Sequence, residues 1–87
     1  MKVQVNKDVF DVRFYYDTNH VHTRAILIDS NSGISYVGVT EKSEKDQYKK
    51  KIGRKIALLR AMREAGLEKD ARTKIWFELQ QKGMKLA

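Results

Sequence analysis

The stretch from residue 48 to residue 62 sets the cations Lys49, Lys50, Arg54 and Arg60 around three small residues, Gly53, Ala57 and Ala61, that recur at every fourth position. On a helix turning about 100° per residue, the small residues line a shallow groove with Lys50 and Arg54 on one wall and Lys49 and Arg60 on the other. The apolar residues Tyr48, Ile52, Ile56, Leu58, Leu59 and Met62 occupy the opposite half, which is expected to face the rest of the protein. Such a groove offers two kinds of chemistry. Lysine and arginine walls hold phosphates, with arginine able to grip one bidentately. A floor of small residues instead lets another helix approach closely, and the cations are then merely solvated. A subunit interface would combine both. A glycine in mid-helix costs about 1 kcal/mol relative to alanine, so Gly53 asks for a packing or contact reason.

Four residues elsewhere are candidate contacts with a partner or a second subunit. Tyr15 lies beside Arg13 on the polar face of a strand and could stack a base. His20 sits in a hairpin loop, as a groove contact or a polar tip. Trp76 and Phe77 fall off the apolar stripe of the last helix, where large aromatics serve an oligomer interface, an intramolecular contact or a foreign partner. Asp17, His20 and His22 do not amount to a metal site, which needs three or four converging ligands and supporting hydrogen bonds. No cofactor is expected. Nucleophilic catalysis finds no support either: the chain has no cysteine, no Gly-x-Ser-x-Gly elbow and no glycine-rich phosphate loop opening a helix. A binding protein, not an enzyme, is the expectation.

The charge is distributed unevenly. The 87 residues carry a net charge of +7. Residues 1–42 hold five basic and five acidic side chains and are neutral, whereas 43–65 hold eight basic against three acidic, a net of +5. The basic excess therefore belongs to the helical half and predicts an acidic partner. Apolar residues at 41% and charged residues at 33% exclude a disordered basic tail. Ala25-Ile26-Leu27-Ile28 is far short of the roughly 18 apolar residues of a membrane span. Nothing at the N-terminus reads as a secretory signal, so a cytoplasmic location is expected. A chain this small buries a marginal core, which favours a homo-oligomer.

Period-two alternation from Val9 to Asp17 puts Phe10, Val12, Phe14 and Tyr16 on one face of a strand. Further strands are predicted over 21–29 and 34–40, with a short one at Val3–Val5 ahead of them, and polar turns at 17–20 and 30–33. Ser43 with Asp46 approximates a capping box for the first helix, which Gly66 ends. Leu67, Ala71, Ile75 and Leu79 then form the stripe of a second helix over 67–82, although 73–79 also suits a strand. The predicted fold is a single α+β domain: an antiparallel meander over 1–42, a basic helix over 43–65 and a second helix, in the order βββαα with both helices on one face.

The run Asp46-Gln47-Tyr48, then Gly53-Arg54-Lys55-Ile56-Ala57-Leu58-Leu59-Arg60-Ala61, after the strand Tyr36-Val37-Gly38-Val39-Thr40, resembles a pattern of small bacteriophage and prophage proteins, a short β-meander followed by Gly-Arg-x-Ile-Ala-x-x-Arg-Ala on a helix. The likeness spans about residues 9–63, with Gly53, Arg54, Arg60 and Ala61 as matched positions. It implies a phage accessory protein. Others of this size and setting are anti-defence proteins that inhibit CRISPR effectors or sequester nucleotide signals, so the partner would be a nucleic-acid-handling host effector, its nucleic acid or a nucleotide signal. The chain is also similar to the double-stranded-RNA-binding domain, with three strands, His20 in the first hairpin loop and Lys45, Lys49, Lys50 and Lys51 opening the helix after the sheet. It departs from that domain in having no helix before the sheet and only Gly38 of its Gly-x-Gly. That likeness implies recognition of duplex RNA by shape. A structural oligomer whose basic face serves solubility is the third reading.

Overall fold

The alternation of the first half becomes a four-stranded antiparallel meander in the computed structural model, which describes residues 1–16, 22–41 and 50–83, the side chains of 50–52 excepted. Its strands are β1 (Lys2–Val5), β2 (Asp8–Tyr16), β3 (His22–Asp29) and β4 (Ser35–Glu41), in the spatial order β1-β2-β3-β4. The helices α1 (Lys50–Glu64) and α2 (Lys69–Gln81) follow. The expected α+β fold is therefore observed, with the short first strand present. Residues 73–79 are helical, because Ile75 and Leu79 are buried one turn apart while the positions between them are not. The turn at 17–20 and the capping residues Ser43 and Asp46 lie outside the described residues.

Local chemistry explains the connections. β1 and β2 join through a two-residue turn, Asn6-Lys7, with Asn6 at φ 56°, a conformation asparagine tolerates better than most residues. Between β3 and β4, the Asp29 carboxylate accepts from the amides of Asn31 and Ser32 at 2.9 and 3.4 Å. This is the side-chain turn geometry for which aspartate is favoured. α1 ends at Gly66, at φ 69°, where the Leu67 amide reaches back to the Met62 carbonyl at 3.1 Å and the Gly66 amide to Arg63 at 3.0 Å. These bonds satisfy carbonyls that the helix end would otherwise leave open.

One face of the sheet carries Val3, Val5, Phe10, Val12, Ala25 and Leu27, all buried. α1 lies across β3 and β4, and α2 packs along β1. Ala57, Leu58, Ala61 and Met62 from α1 and Ile75 and Leu79 from α2 complete the core. Among the described residues no helix is long and apolar enough to cross a membrane.

Asp11 ties the start of the chain to the sheet. Its carboxylate accepts from the Met1 ammonium at 3.0 Å and from Arg13 Nε at 3.0 Å. The hydrogen bond from the ammonium is the largest influence on Asp11; burial opposes it, and Arg13 adds to the lowering, so the Asp11 pKa lies below its ordinary value. A folded pKa below the unfolded one gives stabilisation that is complete above about pH 4 and is lost as pH falls through the folded value. The urea midpoint of Asp11→Asn should therefore lie below that of the wild type at about pH 6, and the gap should close towards about pH 2.

Candidate functional site

The site expected from the sequence depends on which side of α1 faces the sheet, and here the structure corrects the expectation. Gly53, Ala57 and Ala61 do not line an open groove. All three are buried. A Cβ on Gly38 of β4 would lie 1.9 Å from the Ala57 carbonyl oxygen and 2.5 Å from the Ala61 amide nitrogen. A Cβ on Gly53 would lie 2.7 Å from Thr23 Oγ1. The small stripe is thus the seat of the helix on β3 and β4, where backbone meets backbone. Ile56, expected inside, is 37% exposed, and Leu59 is only half-buried. Leu58 and Met62 do face inward as expected.

This rotation redistributes the cations. Arg54 is half-buried and donates from Nη1 to the Tyr16 hydroxyl at 3.1 Å, at the end of the sheet. Arg60 is exposed but turns along β4, donating from Nη1 to the Val39 carbonyl at 2.6 Å. Lys49 lies outside the described residues, and Lys50 is placed only as the first described residue of α1. Lys55 and Arg63, not singled out from the sequence, are both exposed and make no ion pair among the described residues. The outward surface of α1 is therefore Ile56 with Lys55, Arg60 and Arg63 around it. Its only signal in the sequence was the charge count of the segment, because the wheel there supports two inward faces.

Arg60 also guards an edge. Asp29 donates its amide to Ile34 at 2.9 Å, which fixes the alternation of the β3–β4 ladder and turns the backbone groups of Val37 and Val39 outward. Arg60 covers the Val39 carbonyl there. At the opposite edge, the Lys82 ammonium donates to the Lys2 carbonyl of β1. Each helix thus sends one cation over an outer strand, a device that discourages pairing with another strand.

The other candidates scatter. Tyr15 stands on the face of the sheet away from the helices, 48% exposed, opposite Arg24 in the register and beside Arg13. His20 lies outside the described residues. Trp76 is half-buried and packs against the core, which answers for it without a partner, whereas Phe77 is 60% exposed on α2. His22 faces Glu41 across β3 and β4 at 3.6 Å. Among the described residues no three metal-ligating side chains converge. A cleft missed by the sequence reading opens between the β1–β2 turn and the start of α2, floored by Val5, Phe10, Leu67 and Ala71. Lys74 spans it to Asn6 Oδ1 at 2.8 Å.

No family model, no curated protein and no solved structure matches the chain.

Proposed function

We propose that the protein acts by binding, with no chemistry of its own, and that the outward surface of α1 engages an acidic protein. The observation that carries this reading is the exposed Ile56 ringed by the exposed cations Lys55, Arg60 and Arg63. An apolar centre with a charged rim is the anatomy of a protein interface. A nucleic-acid duplex gains from the rim alone, and a convex helix surface does not enclose a small nucleotide. The likeness to phage accessory proteins supports a specific form of this function, inhibition of a nucleic-acid-handling effector in a bacterial host through an acidic surface of that effector.

The test is capture from bacterial lysate on the immobilised protein, with and without nuclease. The expected result is a retained protein that survives nuclease, is released by salt and is lost when Lys55→Glu and Arg63→Glu are combined. A control of equal charge change, Lys7→Glu with Lys69→Glu, should keep it. Retention by the α1 double variant would overturn the reading. Loss of capture on nuclease treatment would replace it with direct nucleic-acid binding.

A further inference from the structure

We infer that the face of the sheet turned away from the helices is covered by a second copy of this chain. The inference concerns a different surface from α1 and stands independently of the function proposed above. An antiparallel sheet with one open face ordinarily alternates, apolar inward and polar outward. β3 and β4 depart from that rule. Their outward positions include Ile26, Ile28, Val37 and Val39, and the register places Ile26 directly opposite Val37. Val37 and Val39 are 43% and 42% exposed, and Tyr15 borders them from β2 across Arg24. Ile26 and Ile28 are half-buried, and among the described residues α1 and α2 lie on the other face of the sheet.

Charge selects the occupant. The outward surface of α1 sets Lys55, Arg60 and Arg63 against Glu64 alone, an excess that opposes its own copy. The open face instead mixes both signs, with the Met1 ammonium, Lys2, Arg13 and Arg24 beside the carboxylates of Asp11 and Glu41, and Asp11 is already paired with Met1 at 3.0 Å and with Arg13 at 2.9 Å. Residues 1–42 as a whole are neutral. A surface with an apolar centre and charges of both signs at its rim can pair with itself about a two-fold axis, cation against carboxylate.

Size sets the strength. With strands about 4.8 Å apart and a rise of about 3.4 Å per residue, four strands offer roughly 450 Å² per copy, and so about 900 Å² per pair. That lies below the roughly 1,200 Å² of a stable specific interface, which makes this a weak, reversible dimer. The guarded edges favour the same geometry. Arg60 and Lys82 oppose strand-to-strand addition, so the copies meet face to face. The two α1 surfaces then point away from the dimer on opposite sides, both free to bind.

Sedimentation velocity from low micromolar to sub-millimolar concentration tests this. The expected result is a mass that rises towards twice the monomer. Combining Val37→Lys with Val39→Lys should raise the dissociation constant at least about tenfold, with circular dichroism and thermal midpoint retained. Phe77→Ser should leave the dimer intact. Dilution of the wild type, followed by amide chemical shifts, needs no variant: Tyr15, Ile26, Val37 and Val39 should move and the exposed face of α2 around Phe77 should not. A monomer at every concentration would overturn the inference. So would a dimer that survives the valine substitutions, or dilution shifts centred on Phe77.

Discussion

Gly38→Ala should cost at least about 3 kcal/mol of stability and unseat α1, the largest effect expected of any single methyl group in this protein. The added carbon would lie 1.9 Å from one backbone atom of the helix and 2.5 Å from another. Neither can move without displacing the whole of α1, and with it Leu58 and Met62. A domain of this length has a total stability on the order of 4–13 kcal/mol, so the loss removes a large share of it. Gly53→Ala provides the contrast. Its new carbon meets Thr23 Oγ1 at 2.7 Å, a side-chain atom, and the better helix propensity of alanine returns about 1 kcal/mol. Urea unfolding of the two variants should rank them clearly, Gly38→Ala far below Gly53→Ala. Equal midpoints would show that α1 does not rest on β4 at Gly38.

The second large effect distinguishes the two sides of α1. Leu58→Ala should cost about 2–5 kcal/mol, because the side chain is fully buried and its removal leaves a cavity between helix and sheet. Ile56→Ala, two positions away, should cost less than about 1 kcal/mol, since the side chain is already 37% exposed. The apolar spacing of the sequence assigns both residues to the inside. Denaturant midpoints for the pair would read the rotation of the helix directly, and a large loss at Ile56 with a small one at Leu58 would refute the observed packing.

The elements that were legible in advance are those whose causes are local. Phe10, Val12 and Phe14 alternate with Asp11, Arg13 and Tyr15, and β2 forms with that division intact. Gly66 ends α1 because only its own conformation and two nearby carbonyls are involved. Leu67, Ala71, Ile75 and Leu79 form a single apolar stripe, which names the inward residues of α2 although 73–79 suited a strand as well. The outward apolar positions of β3 were equally visible as residues. That they join Val37 and Val39 in one patch on the face opposite the helices follows from the strand register.

The candidate site was less legible, because α1 has two faces that could pack. One is the row from Tyr48 through Ile52 and Ile56 to Leu59, the other the small stripe Gly53, Ala57 and Ala61, with Leu58 and Met62 acceptable to either. Apolar periodicity favours the first, since it scores side-chain area. It has no measure of how near two backbones can come. The meander, the first helix with its end at Gly66 and the concentration of positive charge in the helical half follow from the amino-acid sequence alone, whereas 73–79 became helix and not strand only once Ile75 and Leu79 had a core to enter. Only the tertiary structure decided which way that charge points. Gly38 removes the side chain that would hold the helix off β4, so the small stripe settles onto it and dispersion gains at close contact outweigh the exposure of Ile56. Arg54 is carried back to the sheet by that rotation, Arg60 stays exposed while its guanidinium reaches along β4, and Lys55 and Arg63 are left facing outward.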